Sequence, residues 1–373
     1  MTEANGELHR LLSYLEERID LGHARRARAR HRRALDYEEL DRPPIVFYLP
    51  YEGEEFHPYP FAEAFDSPAK LAVNELLVGF TSLYHAVDLR DDAPYCLRPN
   101  LGTGLVASMF GAEVRLTENN PPWIMPVGEQ RIRDIAVGPL PDLRSGLAAR
   151  ALDQYAFFEA MLADYPLCRH AFQLTLPDLQ GPFSTAELLW GPGIYLALYD
   201  EPRLVSALLE RIVELMVAVY RMLMAVTRDD VGVGYCYQHA VGTRGSILVR
   251  NDSMVNLSPR HYREVAWPHD VALSERLGGI GVHFCGRGMH QVANLLAIPG
   301  LGCLDLGNPE MLDLDELYRQ AAPLGAALVR LTVPEEHLRS SALARRFPSG
   351  VSLVCHPRSL VHAQELLRRY LTR

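Results

Sequence analysis

Apolar positions along the chain change rhythm near residue 41. Over residues 1–36 they recur at helical spacing, through Leu11, Leu12, Leu15 and Ile19, which predicts a helical arm. From Asp41 onward, short β-branched or aromatic runs alternate with longer amphipathic segments. The runs fall at 45–48, 172–176, 247–250, 280–285, 302–306, 326–331 and 351–355. In 200–225, Leu204, Leu208, Ile212, Leu215 and Val219 share one stripe, as an amphipathic helix requires, with Asp200 as its N-cap and Pro202 in its first turn. Ser258-Pro259 opens another helix and Gly278-Gly279 closes it. Asp313 and Glu316 have capping-box spacing. Strand–helix alternation of this kind predicts parallel β/α units, and no linker-like tract interrupts 41–373. The expected fold is α/β: one (β/α)8 barrel of the TIM type over residues 37–373, preceded by the helical arm 1–36.

Composition narrows the function. With 373 residues, 22% of them charged and 48% hydrophobic, the chain is globular rather than disordered or collagen-like. A net charge of −9 argues against nucleic acid as a partner. No apolar stretch approaches the ~20 residues of a membrane helix. The polar, acidic start is wrong for a secretory signal, so a cytoplasmic location is expected. Arg25, Arg26, Arg28, Arg30, Arg32 and Arg33 read as a solvated helix face paired with the acidic body. Lys70 is the only lysine, which removes most candidates for Schiff-base chemistry. Six cysteines remain to be explained, at 96, 168, 236, 285, 303 and 355, and a reducing compartment makes disulfides unexpected.

The most informative stretch is Gly281-Val282-His283-Phe284-Cys285-Gly286. Residues two apart in a strand point to one face, so His283 and Cys285 project together, about 7 Å apart at the backbone. The 351–355 run is a second apolar strand ending in a thiol, 70 residues on (355 − 285). In a parallel barrel the C-terminal strand ends converge on one mouth. His283, Cys285 and Cys355 would make a Cys₂His set for Zn²⁺ with an open fourth position. Two thiolates cancel the ion's charge, leaving a bound substrate thiolate electron-rich. From spacing alone the alternative stays open: buried core cysteines and a satisfied strand histidine. Cys96, Cys168, Cys236 and Cys303 read as core. Asp252 and Asp305, each near a strand end, are candidate carboxylates for tuning ligands or accepting protons. Gln180 and His239 are candidate substrate or cofactor contacts, His239 at the end of an alternating run reaching the mouth.

Several stretches together carry a family resemblance: Asn251-Asp252-Ser253-Met254-Val255-Asn256-Leu257-Ser258-Pro259, Tyr262, Pro268, His283-Phe284-Cys285-Gly286, Leu176-Pro177-Asp178-Leu179-Gln180-Gly181-Pro182 and Pro99-Asn100-Leu101-Gly102. Over roughly residues 37–373 the chain resembles the uroporphyrinogen decarboxylase superfamily, closest to its zinc- and cobalamin-dependent methyltransferase branch. The resemblance implies that His283, Cys285 and Cys355 bind zinc. It further implies methyl transfer from methylcobalamin, carried by a partner corrinoid protein, to a small thiol. A homodimer is among the expected assemblies. The alternative is a metal-independent decarboxylase-type lyase acting on an acidic substrate, which would turn Arg98, Arg244, Arg250 or Arg287 toward the mouth. The Arg-Gln-Ala-Gly-Arg motif of true uroporphyrinogen decarboxylases is missing, since Arg42-Pro43-Pro44 leads straight into the first strand.

Overall fold

The apolar runs become parallel strands because both of their faces are covered, by helices outside and by chain inside. The structure, a computed structural model, describes residues 2–117, 119–228 and 232–372. Its strands in chain order are β1 (Ile45–Phe47), β2 (Cys96–Leu97), β3 (Glu113–Arg115), β4 (Trp123–Met125), β5 (Gln173–Leu174), β6 (Leu179–Gln180), β7 (Tyr235–Gln238), β8 (Val241–Arg244), β9 (Ile247–Arg250), β10 (Ile280–Phe284), β11 (Leu301–Leu306), β12 (Ala327–Thr332) and β13 (Val351–Cys355). A seven-stranded parallel sheet runs β1-β13-β12-β11-β10-β9-β6, and β2 pairs with β5. Strands β5 and β6 belong to one run, 173–180, that serves two neighbours in turn, so eight strand positions close a TIM-type barrel. The strands at 45–47, 247–250 and 351–355 keep the limits that hydrophobic patterning implies to within one residue.

Strand parity separates two cores. Ile280, Val282, Phe284, Leu304 and Leu328 pack outward against the helices. Leu248, Cys303, Ala327 and Val329 face inward, where they cluster with Cys236. Val46 and Val354 do the same with Val241. Cys236 and Val241 belong to an antiparallel hairpin, β7–β8, that stands inside the barrel. The alternating run that ends at His239, expected as a strand reaching the mouth, forms as β7 and is one arm of this filling. Gly281 admits it: a Cβ there would lie 2.7 Å from Cys303 Sγ and 2.9 Å from Leu248. At the hairpin tip His239 (φ 51°) and Ala240 (φ 55°) are both left-handed, a primed turn made without glycine.

The long helix Pro202–Met224 forms as its stripe predicts, but its cap differs. Asp200 ends the preceding helix, Ile194–Asp200, and Glu201 takes the N-cap position without a side-chain bond. Ser258 and Asp313 do cap their helices, accepting from the His261 and Glu316 N–H groups. Among the described residues no helix is long and apolar enough to cross a membrane.

The arm folds as α1 (Glu3–Glu16) and α2 (Leu21–Leu35). Leu8, Leu11, Leu12 and Leu15 join the outer core, and α2 closes the N-terminal end of the barrel. Three of its arginines pair with nearby carboxylates, Arg30 with Asp41 and Asp92, Arg32 with Asp36 and Arg33 with Glu38, while Arg25 and Arg26 face solvent. His31 ties the arm to the hairpin, with Nε2 3.0 Å from the Asp92 carbonyl and Nδ1 3.3 Å from the Gly242 N–H it accepts. Burial lowers its pKa from 6.5 to about 4, so the folded state holds the neutral ring. A histidine depressed in this way contributes fully above the unfolded value and loses its share as pH falls toward the folded one. Its contribution should therefore fall by up to about 1.4 kcal/mol per pH unit between those limits. Urea midpoints of wild type and His31→Gln, well separated at neutral pH, should converge as the pH drops to 4.5.

Candidate active site

Lumen-facing polar residues ring the C-terminal mouth because consecutive strands place them in register. Gln180 pairs with Arg250, Arg250 with His283, and His283 with Asp305. Each sits between outward apolar neighbours such as Leu179, Val249, Phe284 and Leu304. Arg330 joins from β12 through a register shift, with a left-handed backbone (φ 62°) unusual for a strand arginine. Backbone strain of this kind is concentrated at functional sites.

Asp305 is the hub. It is fully buried, yet its Oδ1 accepts from Arg330 Nε at 2.6 Å and its Oδ2 from His239 Nδ1 at 2.5 Å. Burial would raise its pKa, but Arg330, His239 and His283 outweigh that and hold the carboxyl well below the usual range. Arg250 donates to His239 Nε2, which leaves the ring proton on Nδ1 facing Asp305. Burial keeps this ring neutral, at about 4. The Tyr48 hydroxyl, donating to the His239 carbonyl at 2.6 Å, pins the hairpin tip beneath the ring.

His283 bridges the hub to the rim. Its Nδ1 lies 3.3 Å from Asp305 Oδ2, and its Nε2 lies 3.4 Å from Cys285 Sγ and 3.7 Å from Asp252 Oδ1. Burial opposes charge on this ring, but Asp305 prevails and lifts it to about 9. Asp252 follows β9 in a 3₁₀ turn, and its Oδ1 accepts the Cys285 N–H at 2.7 Å. Neighbouring Asn251 donates its N–H to the His283 carbonyl, so the ends of β9 and β10 are stapled on both sides of the His-x-Cys pair.

Among the described residues, two overlapping groups of three side chains bring their ligand atoms within 4.8 Å of one another: His239, His283 and Asp305, and Asp252, His283 and Cys285. The buried group already has guanidiniums on it, Arg250 at His239 and Arg330 at Asp305, so a cation there would meet like charge. The rim group suits an ion better. Tetrahedral zinc separates its nitrogen from a sulfur or oxygen ligand by about 3.4–3.6 Å, and the ligand distances here are close to that.

Cys355 joins neither group, which corrects its expected place beside Cys285. Strand parity gives the reason. Val354 faces the lumen, whereas Val351, Leu353 and Cys355 pack in the outer core. Burial pushes the Cys355 thiol up to about 11. Cys285 is exposed. Iodoacetamide should therefore label Cys285 in the folded protein and leave Cys355 unmodified until urea is added, as peptide mass mapping would reveal. Cys168, Cys236 and Cys303 are buried, and Cys96 is half-buried.

Of the arginines considered for a lyase, Arg98 and Arg250 do face the mouth. Arg244 sits at the opposite end, bonded to the Leu35 and Gly325 carbonyls. Arg98 is paired with Asp178 and Glu75, and Arg250 with Asp178. Sequence reasoning missed Arg330, Asp178 and Tyr48 as parts of this site. For Asp178 a signal existed, since it stands two residues before Gln180 and shares its face.

Comparison with known proteins bears on the fold. No family model matches the chain, and no curated protein matches it. Solved structures do, among them a methyltransferase from Methanosarcina mazei. It is 14% identical, with a TM-score of 0.63 over 92% of this chain and 98% of that one. This chain has the same kind of barrel.

Proposed function

We propose that the protein is a zinc-dependent methyltransferase that moves a methyl group from the methylcobalamin of a corrinoid protein to a small thiol. The observation that carries the reading is the rim group: His283 Nε2 lies 3.4 Å from Cys285 Sγ and 3.7 Å from Asp252 Oδ1, at the barrel mouth. These three residues would hold the ion, in place of a set that includes Cys355. A bound zinc would lower the pKa of an incoming thiol and keep it as a thiolate for attack on the methyl group.

The remaining work belongs to the chain. Cys285 and Asp252 bring two negative charges, so a third from the substrate leaves the sulfur electron-rich. Asp305 Oδ2, 3.3 Å from His283 Nδ1, and Arg330 Nη2, 3.2 Å from the same nitrogen, fix the ring with Nε2 facing the rim. Arg330 balances the charge of the fully buried Asp305, at 2.6 Å. The methyl-transferase fold of the Methanosarcina mazei neighbour supports the same reading. The lyase alternative needs a cluster of cations free to take an acidic substrate, and the largely buried mouth arginines Arg98, Arg250 and Arg330 each already have a carboxylate.

The test is metal content after dialysis, together with the absorbance of methylcobalamin incubated with protein and a panel of thiols. Stoichiometric zinc and thiol-dependent demethylation are expected. A protein that retains no zinc under reducing conditions and demethylates nothing would overturn the proposal.

A further inference from the structure

The rim group is held from behind by a buried polar set on the outer side of the barrel wall. Arg250 ends β9 facing the lumen, so strand alternation turns the next side chain, Asn251, outward. There Asn251 Nδ2 donates to Asp270 Oδ2 at 2.9 Å, and the Tyr262 hydroxyl donates to the same oxygen at 2.5 Å. None of the three has any solvent exposure. Asp270 belongs to the helix Trp267–Leu277, and Tyr262 opens the π-helical turn Tyr262–Ala266 that leads into it. Eight residues apart on an uninterrupted α-helix, the two would stand about 80° apart around the axis. The wider π-turn reduces that angle, and turns of this kind recur at functional sites. Both donors are neutral, and burial pushes the Asp270 carboxyl up from 3.8 to about 6. A buried carboxyl answered by neutral donors is costly, and what it supplies is a fixed hold on Asn251.

That hold reaches the rim within one residue. The Asn251 N–H donates to the His283 carbonyl at 2.8 Å. Next to it, Asp252 Oδ1 accepts the Cys285 N–H at 2.7 Å and stands 3.7 Å from His283 Nε2. The Asp252 side chain is 39% exposed, so packing around it does not fix it and its place comes from its neighbours in the chain. On its far side the Ser253 N–H donates to Ser184 Oγ at 3.3 Å, and the Ser253 hydroxyl donates to Glu187. We infer that Asp270 is a positioning residue for the rim: gripping Asn251, it fixes the end of β9 and so sets the Asp252 carboxylate against Cys285 and His283. Both donors converge on Asp270 Oδ2, and Oδ1 has no hydrogen bond. One oxygen is therefore all that the anchor uses, and an asparagine can supply it. The zinc part of this role rests on the proposed function; the hold on the Cys285 N–H does not.

Amide hydrogen exchange on the metal-free protein reads the hold directly, because the Cys285 N–H is the group that Asp252 protects. In Asp270→Ala this amide should exchange at least about 10-fold faster, the effect of losing a hydrogen bond to a charged group. Amides of β11 should keep their wild-type rates. Asp270→Asn should leave Cys285 close to wild type. Should Asp270→Ala fail to fold, Tyr262→Phe combined with Asp270→Leu makes the site apolar without stranding a donor on the tyrosine, and the same amide should quicken. Zinc affinity, measured by competition with a chelator, should fall about 10-fold in Asp270→Ala, as for loss of an outer partner of a ligand. Added to Asp252→Ala, the same substitution should cost no further affinity, since its effect runs through Asp252. An unchanged Cys285 exchange rate in a folded variant, or losses of zinc affinity that simply add, would overturn the inference. Exchange as expected in a protein that binds no zinc would sink the proposed function and leave the positioning role of Asp270. Zinc bound equally by wild type and Asp270→Ala would do the reverse.

Discussion

Cys285→Ala is expected to lose zinc and thiol methylation together, whereas Cys355→Ala keeps both. Removing one of three ligands should weaken zinc binding by at least about 100-fold, because loss of a mere outer partner already costs 10–100-fold. Cys355 faces the outer core with Leu353, so its truncation opens only a small void, at about 1–2 kcal/mol of stability. The pair is diagnostic because a search by spacing alone treats the two cysteines alike. Metal analysis of both variants, beside urea denaturation to separate folding from ligation, reads the result. A Cys355→Ala protein stripped of zinc while still folded would contradict the ligand set assigned to the rim.

Asp305→Ala should be the most damaging single substitution to stability at the site, at roughly 3–5 kcal/mol. The carboxylate has no solvent exposure, and it answers Arg330, His239 and His283 at once. Without it, the largely buried Arg330 guanidinium and the charged His283 ring face one another uncompensated, and the His239 Nδ1–H loses its acceptor. Asp305→Asn should cost less, since the amide keeps the shape and still accepts one bond. Urea unfolding, with the slope checked for a change in the denatured state, measures both. A loss below about 1 kcal/mol in Asp305→Ala would mean that water takes over these contacts, and that the hub is not closed.

The barrel was legible because its signals are local. The strand at 280–284 alternates inward glycine and histidine with outward Ile280, Val282 and Phe284, and apolar runs of that kind read as buried strands in any context. The His-x-Cys pair was legible for the same reason, since two residues on one strand need only the period of the strand. Cys355 was misplaced because convergence at a mouth is not enough: a residue must also fall on the inward parity, and nothing in an apolar run says which parity that is. Arg330 escaped notice because a register shift turns it inward, and such a shift leaves no trace in hydrophobic periodicity. That the run ending at His239 folds back as an enclosed hairpin was not legible, because its alternation is the same whether its partner is a neighbouring strand or itself.

That enclosed hairpin also constrains how the chain assembles. Residues 235–244 are made before β9 through β13, yet they end up surrounded by those strands as well as by β1. The wall cannot shut first and be filled afterwards, because its interior width is already taken. Closure must therefore come late, around a hairpin held in place by residues far away in sequence, such as His31 and Tyr48. Contacts of that range make for slow folding, with an open, half-wrapped barrel as the species most exposed to aggregation on the way.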